Sequence, residues 1–438
     1  MKLRNRMLSA LLAGALVASG MPAGLGAVTA NAADASFAGE EWYDQIDTVE
    51  VNREPAHAYF TPYETAEQAL ANEKSALDDK DGSIYRMSLN GDWKFKFAQK
   101  PADREKDVKG ANTASYVEDW DTSGWDTIKV PSSIQAQKNE DGTFKYEKPI
   151  YSNQRYPWQN YESVPLGENV VAPTVNNSVG HYKRTFTIPS DWDGRDVFVH
   201  FEGVESAFYL YVNGQQVGYA EDSYTSDEFN ITSYLRTGEN TIAVEVYRWS
   251  TGSYLENQDF IRYSGIFRDV NLYSKNQVEV RDVFIKTELD DAYKDATLEL
   301  DASIRNLGDA AAAGKTYQVK ADLYEIDGKT KVWDSPLEIA VNVPQAKATV
   351  EEKSDDVGVT VTGSKAVKNP KKWFADTPNL YLLLIELKDD TGYVVETLCQ
   401  RVGFREIGKV DINENGQEQA QINGKKIMFR GTNRHRII

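Results

Sequence analysis

The chain has 438 residues, too many for one ordinary domain, and its length suggests two to four. Hydrophobic residues make up 41% and charged residues 26%, the balance of a folded globular protein rather than a disordered one. A formal net charge of −18 repels phosphate backbones, so no nucleic acid is expected as a partner.

Residues 1–32 read as a secretory signal. Lys2, Arg4 and Arg6 form a positive n-region, residues 7–19 an apolar core, and Ala30-Asn31-Ala32 a small-x-small cleavage site. Gly14, Ser19, Gly20 and Pro22 interrupt the apolar run short of the ~20 residues a membrane helix needs. The expected product is exported, mature from Ala33, secreted or held at the cell surface through further regions, with no membrane span after signal cleavage. Without the three basic residues of the signal, 46 basic residues face 67 acidic ones, a net charge near −21.

Beyond the signal, helical periodicity is confined to residues 64–77, where Ala66, Ala69, Leu70 and Leu77 recur at helical spacing. Asp78-Asp79-Lys80-Asp81-Gly82 lacks the alternating ligands and closing glutamate of an EF-hand and reads as a solvated turn. Short alternating runs follow, separated by turn signals. In the clearest hairpin, Asn213-Gly214 is the pair that a type I′ turn prefers. Phe208, Leu210 and Val212 would face one side of its first strand, Tyr209 and Tyr211 the other. The expected fold class is all-β. Residues 33–276 would form a jelly-roll domain and residues 277–406 an immunoglobulin-like β-sandwich.

Strands are expected at 280–287, 297–304, 319–324, 381–387 and 402–405, with a surface loop at 365–372. Asn423-Gly424 then turns the chain into a buried strand over 426–430. The one cysteine, Cys399, excludes an intrachain disulfide and lies in a strand-like run, as a buried structural thiol would. His57, His181 and His200 are scattered, with no zinc-like spacing. The 24 tyrosines and 9 tryptophans suit sheet surfaces and sugar-facing clefts alike.

Several segments in one order resemble the large bacterial β-galactosidases of glycoside hydrolase family two. They open with Asn52-Arg53-Glu54-Pro55-Ala56-His57, Ser88-Leu89-Asn90-Gly91-Asp92-Trp93, Val130-Pro131-Ser132-Ser133 and Pro149-Ile150-Tyr151-Ser152-Asn153. The run Arg248-Trp249-Ser250-Thr251-Gly252-Ser253-Tyr254-Leu255-Glu256-Asn257-Gln258-Asp259 and Ser264-Gly265-Ile266-Phe267-Arg268-Asp269-Val270 follow. Pro378-Asn379-Leu380-Tyr381 with Val402-Gly403-Phe404-Arg405, and the terminal Arg430-Gly431-Thr432-Asn433-Arg434-His435, complete the series.

The resemblance implies a β-galactoside substrate, with Asn153, Asp259 and His435 binding the sugar and Asp259 also holding a sodium ion. Oxygen ligands suit a hard monovalent cation, and fixed amide and carboxylate groups suit sugar hydroxyls. Taken apart from the family, Asn153 would be a structural turn residue, Asp259 a partner of Arg262, and His435 a surface or capping residue. The family's two catalytic glutamates and its magnesium ligands lie in a (β/α)₈ barrel of roughly 250 residues. Here 407–438 would supply only its first strand, so no catalytic residue is assigned and magnesium is expected only in the absent barrel. The family pattern continues after the histidine with Glu, where this chain has Arg436-Ile437-Ile438, as a frameshift or a shortened reading frame would produce. Three readings stand: the N-terminal part of an exported β-galactosidase whose full-length form could be a homo-oligomer, a stand-alone carbohydrate-binding fragment, or a non-functional truncated product.

Overall fold

A computed structural model describes residues 41–74, 82–106, 117–152, 155–158, 170–174, 176–346, 358–412 and 418–432. In chain order the first strands are β1 (Glu50–Val51), β2 (Arg86–Ser88), β3 (Gly91–Ala98), β4 (Asp126–Val130), β5 (Ile150–Tyr151), β6 (Val179–Thr187), β7 (Asp196–Phe201) and β8 (Val204–Glu205). There follow β9 (Ala207–Val212), β10 (Gln215–Glu221), β11 (Asp227–Asn230), β12 (Glu239–Tyr247), β13 (Ile261–Arg262), β14 (Gly265–Ile266) and β15 (Val270–Lys275). A seven-stranded sheet in the order β1-β10-β9-β12-β6-β3-β4 faces a four-stranded sheet, β11-β7-β15-β2.

Strand alternation builds the core between these sheets. Phe208, Leu210 and Val212 of β9 enter it with Trp93, Phe95, Tyr182, Val199 and Leu272. The β9–β10 turn has positive φ at both central residues, 49° at Asn213 and 73° at Gly214, as the Asn-Gly pair required. Tyr209 and Tyr211 take the opposite face, yet they are buried too. Residues 41–51 pass over that face, where Trp42 stacks on Tyr209 at 5.5 Å and Tyr43 on Tyr247 at 4.4 Å.

The second sandwich comprises β16 (Val278–Leu289), β17 (Ala296–Asn306), β18 (Thr316–Glu325), β19 (Leu337–Asn342), β20 (Gly358–Val367), β21 (Tyr381–Lys388) and β22 (Val394–Val402). Its sheets are β16-β17-β20 and β19-β18-β21-β22, closed on a core that includes Leu298, Leu300, Val319, Leu323, Trp333, Leu383 and Phe404. Helix α1 (Ala66–Lys74) starts at Thr65, whose hydroxyl accepts the Gln68 amide at 3.2 Å. Its Ala69 and Leu70 pack with Leu382, Leu384 and Cys399, so the thiol is buried as expected. No helix among the described residues is long and apolar enough to cross a membrane.

Four local expectations need correction or bounding. The helix spans Ala66–Lys74, and residues 75–81, with most of the Asp78–Gly82 turn, lie outside the described residues. Lys365 belongs to β20, where its ammonium reaches the Ser335 hydroxyl at 3.2 Å, so the loop begins after Val367. Strand β22 ends at Val402, and Phe404 joins only an isolated bridge to Lys372.

The fourth correction concerns the C-terminal strand. The strands β23 (Ile407–Ile412), β24 (Glu418–Ile422) and β25 (Lys425–Lys426) form a small antiparallel sheet, and no barrel closes among the described residues. Met428 and Phe429 are each 82% exposed rather than buried. Beyond Lys426 a single backbone bond, from Ile427 to Ala420 at 3.0 Å, holds the segment to β24. Apolar residues stay exposed where no neighbouring layer covers them.

Candidate functional site

At Tyr247, β12 leaves the seven-stranded sheet, and residues 248–259 cross one end of the first sandwich before β13. Buried polar groups brace this crossing almost residue by residue. Arg248 donates to Glu147 at 2.6 Å, and Glu147 also accepts from Gln135 at 2.6 Å and Ser178 at 2.8 Å. The Trp249 amide and carbonyl pair with the Asn177 carboxamide, each at 3.0 Å. Ser250 and Ser253 form a reciprocal capping box around the short 3₁₀ turn Thr251–Tyr254.

Glu221, at the end of β10, holds that turn from below. It accepts from the Gly252 amide at 2.7 Å, Thr251 at 3.3 Å and the Tyr219 hydroxyl at 2.5 Å. Burial nevertheless pushes its carboxyl up to about 7. Farther on, Glu256 accepts both the amide and the hydroxyl of Ser223, each at 2.7 Å.

The last residues of the loop gather around Arg262. Its guanidinium donates to the Glu256 carbonyl, to Asn257 Oδ1 at 2.8 Å and to the Gln258 carbonyl at 2.8 Å. These partners use the guanidinium along the preceding turn, so Arg262 shapes the loop that presents Asp259. The Asp259 carboxylate is exposed and accepts the Tyr151 hydroxyl at 2.8 Å. The pairing Ile261↔Tyr151 and Arg262↔Ile150 between β13 and β5 makes that contact possible. Tyr151 lies in the Pro149–Asn153 segment, and only strand pairing across 108 positions brings it to Asp259.

Aromatic side chains form a wall at the same end. Trp158 packs edge-on against Trp249 at 5.1 Å and Tyr254 at 4.9 Å, and stacks on Tyr156 at 5.0 Å. Glu205 of β8 is an acidic group with no sequence signal of its own. Burial, with Glu256 adding to it, pushes its carboxyl up to about 8.

Of the three sugar-binding candidates, only Asp259 falls among the described residues; Asn153 and His435 lie outside them. Among the described residues, no group of three or more His, Cys, Asp or Glu is arranged to hold a metal. The Asp259 carboxylate is an oxygen ligand of the hard kind that a monovalent cation takes.

Residues 86–276 match the family described as "Glycosyl hydrolases family 2, sugar binding domain", and residues 278–405 match "Glycosyl hydrolases family 2". A β-galactosidase of Priestia megaterium is 41% identical over 395 residues, covering 90% of this chain and 34% of its own length. A β-galactosidase of Halalkalibacterium halodurans is 36% identical over 394 residues, covering 90% and 34%. The chain thus spans about a third of the length of these curated relatives. A solved β-glucuronidase of Bacteroides uniformis shares the fold, with a TM-score of 0.58 at 22% identity over 80% of this chain and 35% of that one. On its two contiguous matches the chain belongs to glycoside hydrolase family two.

Proposed function

We propose that this chain is the N-terminal, sugar-facing part of an exported β-galactosidase. The whole enzyme would hydrolyse terminal non-reducing β-D-galactosyl residues, as in lactose, with retention of configuration. One carboxylate attacks the anomeric carbon while a carboxylic acid protonates the leaving oxygen, and water then hydrolyses the galactosyl-enzyme.

The observation that carries this reading is the braced loop ending on an exposed Asp259 carboxylate held by Tyr151 at 2.8 Å. A fixed carboxylate at a solvent-facing edge suits a sugar hydroxyl and a sodium ion together. Asn153 and His435 are proposed as further sugar contacts on the resemblance alone. The identity to two β-galactosidases supports the substrate class, and the pattern of residues 1–32 supports export.

The 438 residues by themselves should not turn over substrate. The two catalytic glutamates of the family, and its magnesium, belong to a barrel, and none closes among the described residues. Joined in frame to the remaining two thirds of the Priestia megaterium relative, the chain should hydrolyse o-nitrophenyl β-galactoside. A soluble, inactive chimera, or turnover by the unjoined chain, would contradict the proposal. Micromolar galactose binding by the unjoined chain would favour the stand-alone binding reading instead.

A further inference from the structure

The seven-stranded sheet carries a cleft at the end remote from the 248–259 loop. Its volume is about 770 Å³, within the ~300–1,000 Å³ of small-ligand clefts. The floor is the outer face of β3, β4, β6 and β12. Trp93, Ile128, Tyr182, Phe186 and Ile242 point into the core, so alternation turns Lys94, Thr127, Lys183, Thr185 and Thr241 toward the cleft. Trp120 also lines the cleft, and Glu118 of the same segment is ion-paired to Arg236. Thr241 and Tyr247 are six residue steps apart along β12, roughly 20 Å of strand. The cleft is therefore distinct from the Asp259 site.

Charge and hydrogen-bonding capacity narrow what would fit. Lys94, Lys183 and Arg236 face Asp92, Glu118, Asp119 and Glu239, a mixed and nearly balanced set on a chain of net charge −18, while Arg184 is engaged by the Leu89 and Asn90 carbonyls. Such a balance favours neither a polyanion nor a polycation. Threonine hydroxyls supply both donors and acceptors, and the half-buried Trp120 indole supplies an apolar wall. Hydroxyl groups around a partly apolar ring match this lining.

We propose that this cleft is a second saccharide subsite, taking a neutral oligosaccharide of two or more hexose units independently of Asp259. Lys183 is compatible with a neutral ligand, because its ammonium already donates to the Val117 carbonyl.

Calorimetric titration of the purified chain with β-1,4-galactotriose tests the proposal. Saturable binding is expected, weakened about 5- to 10-fold by Trp120→Ala and unchanged by Asp259→Asn. Thr127→Arg changes an exposed side chain, leaves the core intact and should fill the cleft, abolishing binding at an unaltered melting temperature. No saturable binding, full binding by Thr127→Arg, or loss only with Asp259→Asn would overturn the assignment. Competition by inorganic phosphate would also overturn it, as that outcome marks an anion site. The Asp259→Asn arm keeps this result separate from the β-galactosidase reading.

Discussion

The guanidinium of Arg281 donates to Oε1 of Glu228 at 2.6 Å, joining the second sandwich to the first. A β-bulge between Val280 and Asp282 leaves Arg281 out of register, aimed at its partner. Around the pair, Glu228 faces His57 at 3.3 Å, His200 at 3.6 Å and Lys275 at 3.9 Å. Arg305 reaches Glu279 and Glu54, each at 2.6 Å. Burial opposes ionisation of Glu228, but Lys275, His57 and His200 outweigh it and hold the carboxyl well below its usual range.

Arg281→Met should destabilise the chain by about 3–5 kcal/mol, because it removes a cation from a buried carboxylate. Combining it with Glu228→Gln should recover part of that loss. Urea unfolding at pH 7 in a double-mutant cycle measures the coupling, and additive effects would refute it.

Glu205 predicts a pH effect. Its folded pKa, pushed up to about 8, exceeds that of a carboxyl in the unfolded chain. The folded state therefore holds a proton that the unfolded state has already lost, and stability from this group falls as pH rises toward 8. His181, held down by burial, acts the opposite way, but only below its ordinary value near 6.5. Between pH 6.5 and 8 the melting temperature should fall by a few degrees, reflecting on the order of 1–2 kcal/mol. Glu221, Asp227 and Glu396, each pushed up to about 7 by burial, act in the same direction. Glu205→Gln should therefore reduce that slope in calorimetric scans, most of all between pH 7 and 8; an unchanged slope there would exclude Glu205 as a source.

Gly265 has φ of +119°, and a Cβ there would lie 2.9 Å from the Tyr182 hydroxyl and 3.1 Å from the Ser132 carbonyl. Gly265→Ala should cost roughly 2–4 kcal/mol in urea unfolding, from backbone strain together with steric overlap. Gly142→Ala is the control for φ alone, since its φ is +81° with nothing within 4 Å. Equal costs at the two positions would remove the steric part of the argument.

Cys399 is buried beneath α1, and burial pushes its thiol well above the usual range. It should resist a thiol-specific disulfide reagent at pH 8 and react stoichiometrically in urea. Rapid labelling of the native chain would mean that α1 does not stay docked.

In the active chimera, Asp259→Asn should raise KM for o-nitrophenyl β-galactoside about 10- to 100-fold and blunt its response to sodium. Tyr151→Phe should do less, since it removes a group that only orients the carboxylate. A full effect of Tyr151→Phe with none from Asp259→Asn would reverse these roles.

Much of the fold was legible along the chain. The Asn213-Gly214 turn, the two faces of β9 and the strand at 381–387 follow from local periodicity and turn chemistry, which neighbouring residues decide among themselves. The 426–430 segment is largely exposed where its apolar character suggests burial, because local sequence does not specify whether another layer covers it. Asp259 was legible as a candidate, though its apparent partner in the sequence, Arg262, binds the preceding turn instead.

The sequence by itself determined the all-β class, the order of the two sandwiches and the family motifs, all properties of residues close in the chain. Tertiary structure alone decided that Tyr151 holds Asp259, that His57 and His200 meet at Glu228, and that Lys183 and Trp120 share a cleft. Those contacts join residues far apart in sequence, and strand pairing and register, rather than local preference, bring them together.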